Sequence, residues 1–521
     1  MTRNCRSRIP LSRLPIKLLL LVLLVLVTHQ AYGNGWEHAA IPFEALVNAL
    51  DFEVPEMRLR AAQSLGFRGQ PEAVAPLLNC LAKPEKSHRV RAVIYAALGN
   101  LKDSRALPAL SACLVDEARE ELRSECVGAL GLIGDRRSLP QILTVLETDA
   151  SVLVQHSAVD ALGSFSEPPA VKKLTALVKD GDNGTFRQRA MLALGRTGST
   201  AAAEPLLLAL KDSENVSEQI VIVKALTGLR SSKAAQPLQS LLDESDDPRL
   251  RTHIVIALGA IDDGSTYPTL VAMLNDPVPS VRYFAVKSLH HQKKQEAVVP
   301  ISQLSLHISR HLESHSIQEL LSEPMPVLAD LSFQLAAMEA IADLDAPRGL
   351  DALLTAARAR IFPRDSATAL KIAEGFYKKR RAAIYGLGYS KSREAANFLS
   401  DKSGIGDPDY RLRAVSARSL GVLGFSNATD ILVGCLEDSS AEVRWTAAAA
   451  LGRLKNTAAA GPLIERLADV NAEVRRQASL SLGFLGDQRA REQLRRIAEA
   501  DENENVRTAA SFSIQLLENL R

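Results

Sequence analysis

Three histidines spaced one helical turn apart, His307, His311 and His315, have the spacing to do chemistry in this 521-residue chain. Neutral imidazoles at i and i+4 share one side of a helix and can hold a metal ion, with Glu313 or Glu319 as an oxygen ligand. With His290 and His291 they make five of the nine histidines that follow residue 33. The same stretch carries Leu304, Ile308 and Leu312 at the complementary spacing. The histidines are therefore equally the solvated flank of an amphipathic helix from about Glu296 to Ser314. The first reading leads to a metal-dependent enzyme or cofactor-handling protein; the second asks for no metal and no cofactor.

A second group, Tyr283, Lys287, Arg381, Tyr385, Arg418, Trp445 and Arg476, has the chemistry of a protein interface. Arginine and aromatic side chains dominate interface hot spots because they combine large contact area with directed hydrogen bonds. Each of these residues stands one or five positions after a recurring arginine or its equivalent, which puts them on one side of successive helices. Such a side would face a concave surface able to grip an acidic or extended segment of another protein.

What must position them is a repeat. VRAVIYAALGNL from Val90, LRSECVGALGLIGD from Leu122, LRAVSARSLGVLG from Leu412, VRWTAAAALGRL from Val443 and VRRQASLSLGFLGD from Val474 are copies of one phrase. Anchored on its arginine, the copies fall at Arg58, Arg91, Arg123, Gln155, Arg187, Ile220, Arg251, Arg282, Gln334, Arg380, Arg413, Arg444, Arg475 and Arg507. The spacings are 31 to 33 residues, except for 52 before Gln334 and 46 before Arg380. A fixed period of this length means one supersecondary unit stacked on itself. Val443, Ala447, Ala450 and Leu451 form the apolar stripe of a helix.

An acidic residue six positions before the anchor, such as Asp438, is expected to cap that helix and to run with the arginines as a ladder. It recurs in ten of fourteen copies: Glu85, Glu117, Asp149, Glu214, Asp276, Glu374, Asp407, Asp438, Asp469 and Asp501. Glycines eight residues after the anchor (Gly99, Gly131, Gly421, Gly452, Gly483) let neighbouring helices approach. Those at eleven (Gly134, Gly198, Gly424, Gly486) end the helix in a left-handed conformation. A second helix follows, with a proline tolerated near its start, as at Pro108 and Pro140.

These features resemble HEAT repeats, specifically the short HEAT-like variety first associated with phycobilisome lyases. The shared signs are the Asp-x5-Arg spacing, the VRxxAxxALG helix and the LGD turn. The resemblance implies an all-α fold, an α-solenoid of about fourteen two-helix repeats from about residue 41 onward. Enzymes exist on this scaffold. Deoxyhypusine hydroxylase holds di-iron with adjacent His-Glu pairs, and this chain has no His-Glu dipeptide. Phosphate-binding GxxxxGK[ST], HExxH, paired CxxC and GxSxG motifs are missing as well. The expectation is a non-enzymatic binding scaffold and a monomer. Its organisation is residues 34–289 as one array, 290–379 as irregular repeats with two insertions, and 380–521 as a second array.

Residues 1–33 read as a secretory signal. Arg3, Arg6, Arg8, Arg13 and Lys17 precede an apolar run from Leu18 to Val27 and a small-residue exit at Ala31 and Gly33. The run is short for a membrane span, although an uncleaved N-terminal anchor is the alternative. The location expected is therefore secreted or periplasmic. The chain has 62 basic and 60 acidic residues, but five basic and no acidic ones lie in positions 1–33. The remainder holds 57 and 60, a net charge of −3. Nothing in that balance calls for nucleic acid or an anionic membrane. Cys80, Cys113 and Cys435 share one repeat position and read chiefly as small buried residues. Cys126 lies near enough to Cys113 for one disulfide to be conceivable.

Overall fold

The computed structural model describes residues 41–83, 87–180, 184–359, 365–425 and 427–519. Residues 1–33, read from the sequence as a secretory signal, Glu85 and Ile361, where the second insertion begins, lie outside these. Every regular element among the described residues is an α-helix or a short 3₁₀ turn.

One unit shows how the sequence builds them. The Arg444 helix spans Ala441–Leu454 and buries Val443, Ala447, Ala450 and Leu451, the stripe its periodicity demands. It ends at Lys455, which is left-handed. That offset, eleven past the anchor, is left-handed in most repeats: Gly134, Gly198, Gly424 and Gly486 have φ of 65–72°, while Lys102, Arg230, Lys293 and Lys391 take the same conformation at φ 49–53°. A basic residue there accepts backbone strain and offers its charge to the helix C-terminus. A 3₁₀ turn then leads into the shorter second helix, Ala460–Glu465. In Leu107–Asp116 and Leu139–Thr148 a proline occupies the first turn, where no helical N–H is lost.

Anchor helices pack side by side in one layer and second helices form the other. The glycine eight past one anchor meets the small residue six past the next. A Cβ added at Gly421 would lie 2.6 Å from the Cβ of Ala450, and one at Gly131 2.7 Å from the Cα of Ala161. Gly452 and Gly483 meet Ser481 and Ser513 in the same way.

The chain divides into two compact units between Ala209 and Leu210, inside the helix Ala203–Asp212. The first holds the anchor helices Pro55–Arg68, His88–Asn100, Glu120–Ile133, Val152–Leu162 and Gly184–Arg196. The second runs from Val216–Leu229 through Ala367–Leu387, Tyr410–Leu423, Ala441–Leu454 and Ala472–Leu485 to Glu504–Asn519.

The two long spacings are absorbed mainly by longer helices. The first insertion builds Val298–Ser314, a short helix Ile317–Ser322 with a Ser316/Glu319 capping box, and the 22-residue anchor helix Pro324–Asp345. By length and composition alone that last helix could cross a membrane. Its apolar residues Phe333, Ala337, Met338 and Ile341 are instead packed inside the unit. The second insertion extends the Arg380 helix to Ala367–Leu387, so Glu374 sits within the helix, paired with Lys378 at 3.8 Å, and caps nothing.

Candidate functional site

The ladder of acids and arginines expected from the spacing forms, and the anchor arginines build it by joining one repeat to the next. Arg444 donates from Nη1 to the backbone carbonyl of Asp438, six residues back, at 3.0 Å. Its Nε and Nη2 reach forward to the carboxylate of Asp469 in the next repeat, each at 2.9 Å. Arg413 does the same with the Asp407 carbonyl and Asp438, and Arg475 with the Asp469 carbonyl and Asp501. Arg123 joins Asp149, Arg91 joins Glu117, Arg251 joins Asp276 and Arg380 joins Asp407. Each rung therefore ties two repeats.

The acids do not cap helices; they cap the preceding turn, accepting the N–H two residues on, as Asp438 does from Ser440 and Asp469 from Asn471. The helix cap stands four before the anchor, as at Asp247, Asp409 and Asn471. The paired arginine holds the Asp149 and Asp501 carboxyls below the usual carboxylate range.

The ladder has two glutamine half-rungs and one weaker rung. Gln155 keeps only the inner half of the arrangement, donating to the Asp149 carbonyl at 2.7 Å, and Gln219 does so to the Ser213 carbonyl at 2.7 Å. Gln219, rather than Ile220, is thus the anchor of its repeat, and Glu214 drops out of the acid series. A cleft of about 350 Å³ lies beside Gln155, lined by Leu146, Lys173, Leu177, Asp180 and Phe186. In the irregular segment Arg282 reaches Asp330 at 3.4 Å. Burial pushes the Asp330 carboxyl up, with Arg282 and His311 pulling against it.

The outward side of the anchor helices carries the interface candidates. Tyr385 on the Arg380 helix and Tyr389, two residues past its end, share a hydroxyl–hydroxyl hydrogen bond of 2.8 Å, and their ring centroids are 5.1 Å apart. Arg418, from the next anchor helix, lies over the Tyr385 ring at 5.6 Å. The Tyr389 bond, and then burial, push the Tyr385 phenol up. Arg381 is exposed and Trp445 is half-buried. Of the seven residues named from sequence, Tyr385 and Arg418 are thus brought together.

Three others are engaged locally. Arg476 is held by both oxygens of Glu473 at 2.7 and 2.8 Å, Lys287 pairs with Glu339 at 3.4 Å, and the Tyr283 ring stands edge-on to Phe284. Sequence reasoning missed Tyr389, Phe484 and Phe512. Phe484 and Phe512 form an edge-to-face pair with centroids 6.5 Å apart and remain 50% and 44% exposed. The available signal was the row itself: positions one, five and nine past an anchor share a face.

Taken along that row, the repeats from Arg380 to Arg507 place Arg381, Tyr385, Tyr389, Arg418, Trp445, Arg453, Arg476, Leu480, Phe484 and Phe512 with no acidic residue. Among the described residues Arg381, Arg418 and Arg453 have no ion pair.

The histidines do not gather into a site. His315 leaves the helix as its C-terminal cap, and its Nδ1 lies 2.8 Å from the His311 carbonyl. The His311 and His315 rings touch at 4.4 Å, with His307 one turn away. Among the described residues no three His, Cys, Asp or Glu side chains are placed to hold a metal ion. Cys113 and Cys126, by contrast, are joined in a disulfide across 13 residues of chain, while Cys80 and Cys435 are buried thiols.

The HEAT-repeat family model matches residues 43–131, 113–195, 139–217, 203–290, 402–480 and 435–515, well over half of the sequence. The chain belongs to the HEAT-repeat family. Among solved structures it is similar to Kap95 in a Kap95:Nup1 complex, with 14% identity over 97% of this chain and 76% of that one and a TM-score of 0.52. The complex of CpcE and CpcF of phycocyanin lyase from Nostoc sp. PCC7120 matches at 17% identity over 50% and 97%, TM-score 0.34. Human deoxyhypusine hydroxylase matches at 24% over 48% and 95%, TM-score 0.23. Identities this low establish the fold and no activity. No curated protein matched the sequence.

Proposed function

We propose that this chain is an exported, non-catalytic scaffold that holds a protein partner along the outward face of its C-terminal anchor helices. The observation that carries this is the acid-free row of arginine and aromatic side chains from Arg381 to Phe512. The corresponding positions in the early repeats hold mostly small and polar residues, such as Ala92, Ala96, Ser124, Gly128 and Asp160, with Leu132, His156, Leu192 and Arg196 scattered among them. Burying arginine and aromatic groups against a partner is where interfaces gain most of their energy.

The glycine contacts draw anchor helices closer together than a side chain at those positions would allow. Kap95, in the complex cited above, holds a protein on the same fold.

Export is supported by the basic and apolar character of residues 3–27 and by the Cys113–Cys126 disulfide, a bond that persists in oxidising compartments. The mature protein should begin near Asn34, and N-terminal sequencing of cell fractions tests this. An intact Met1 on a protein confined to the cytoplasm would refute export. For binding, in-cell crosslinking and affinity capture should recover a host protein with wild type and lose it with Trp445→Ala/Arg381→Ala. Equal recovery with that variant would refute the assignment of the face.

A further inference from the structure

Building on that scaffold reading, we infer that the occupant of the C-terminal face is an extended, two-part segment with carboxylates at one end and apolar side chains at the other. Two observations sort the face in this way.

At the Arg380 and Arg413 helices, Arg381 and Arg418 flank the hydrogen-bonded Tyr385–Tyr389 pair. Neither arginine has an acidic partner among the described residues. Of the neighbouring charges, Lys287 bonds Glu339 and Arg476 is chelated by Glu473, while Asp343 hydrogen-bonds the His290 ring at 3.0 Å and helps to raise the Tyr385 phenol. Two uncompensated guanidinium groups beside the one phenol proton that the Tyr385–Tyr389 bond leaves free are complementary to carboxylates, which accept both kinds of hydrogen bond.

At the Arg475 and Arg507 helices the same row changes character. Phe484 and Phe512 stack edge to face while leaving about half of each ring exposed, with Leu480 on the same side. That end can only gain by burying apolar groups.

The two ends are three repeats apart. At about 9–10 Å per packed helix they are separated by roughly 27–30 Å, which about eight or nine residues of extended chain would span. Trp445 and Arg453 lie between them.

The test is selection of a random peptide library of about sixteen residues displayed against the full mature chain, followed by titration of an enriched peptide. Enriched sequences should carry paired Asp or Glu separated by roughly six to ten residues from Phe, Leu or Tyr. Arg381→Ala/Arg418→Ala and Phe484→Ser/Phe512→Ser should each weaken binding by roughly tenfold or more, with melting temperatures close to wild type. Added salt should weaken binding to wild type and to the phenylalanine variant, but barely affect the arginine variant. No enrichment, enriched peptides lacking acidic residues, or undiminished binding by either double variant would overturn the inference. A host partner captured equally by wild type and both double variants would sink this inference and leave the scaffold reading standing. Capture by none of them would remove the scaffold reading itself.

Discussion

The repeats from Arg91 to Arg187 and those from Arg380 to Arg507 are built on the same interior and differ in what they show outside. In both, a glycine eight past one anchor seats against a small residue six past the next: Gly99 on Ala129, Gly421 on Ala450. Outside, the same positions of the first run hold mostly small and polar residues, with Leu132, His156, Leu192 and Arg196 among them and the aspartate Asp160, whereas the second gathers arginine, tyrosine, tryptophan and phenylalanine with no acid in the row. The ladder differs as well. Rungs follow without a break from Arg380–Asp407 to Arg475–Asp501, while the first run reaches Arg123–Asp149 and then meets Gln155. A solenoid thus divides its duties: contacts between neighbours fix the interior, and the face is left to carry specificity.

The interior half of the comparison can be broken most severely at the glycines. Gly421→Val places branched carbon where a Cβ alone would lie 2.6 Å from the Ala450 Cβ and 2.9 Å from its Cα, so two helix backbones must separate. The cost should reach about 3 kcal/mol or more, read as lost hydrogen-exchange protection in the Arg413 and Arg444 helices. Wild-type protection there would show that the close approach is dispensable.

Next in size is a rung. The side chains of Arg444 and Asp469 are only 12% and 5% exposed. Arg444→Ala leaves Asp469 desolvated without its cation and should cost about 2–3 kcal/mol by chemical denaturation. Lys83→Ala, which removes an exposed pair with Asp51, should cost less than about 1 kcal/mol. Equal effects would reduce the ladder to surface decoration.

Acid sharpens the same contrast. Asp149 and Asp501 have depressed carboxyl pKa values in the folded chain, chiefly through Arg123 and Arg475. Their contribution is complete above the unfolded carboxylate value of about 3.9 and is lost as pH falls through the lower folded value. Asp330, raised by burial, runs the other way: its share of stability grows as pH falls. Asp330→Asn should therefore steepen the loss of stability on acidification, as followed by melting temperature between neutral pH and about pH 3. An unchanged slope would contradict the burial argument.

The smallest effect is a gain. Asp180 stands 25 residues after Gln155, the offset at which Asp438 and Asp469 meet Arg413 and Arg444. Gln155→Arg should fill the adjoining cleft, restore a rung and stabilise the first unit by up to about 1 kcal/mol. A lower melting temperature would mean that the gap is not a missing rung.

The fold was legible because the repeat is dense enough for each copy to check the others, and the periodicity of Val443, Ala447 and Ala450 permits only one helix face. The pairing was not. A spacing of six between Asp438 and Arg444 looks the same whether the guanidinium turns back within its own repeat or reaches the next one, and the structure divides it between both. Ile220 was mistaken for an anchor because composition favours the neighbouring apolar residue, whereas the Gln219 bond to Ser213 fixes the register. The disulfide was the less favoured reading because like positions in successive repeats lie too far apart. Cys113 instead meets Cys126 across a helix turn, with Cα atoms 6.4 Å apart. Phe484 escaped notice because it stands nine past its anchor, and nine was left out of the face; Phe512 stands at five in the last repeat, to which the row was not carried.

The separation of interior from face is tested most directly by giving the second run the exterior of the first. One chain carrying Arg381→Ser, Tyr385→Ala, Arg418→Ser and Trp445→Ala would be compared with wild type for both melting temperature and partner capture. Melting is expected within about 2 °C of wild type, because the glycine contacts and the rungs seat the repeats and the exposed Arg418–Tyr385 contact adds little, together with loss of the partner. Capture that persists on a folded chain, or a melt that collapses with the face, would contradict it.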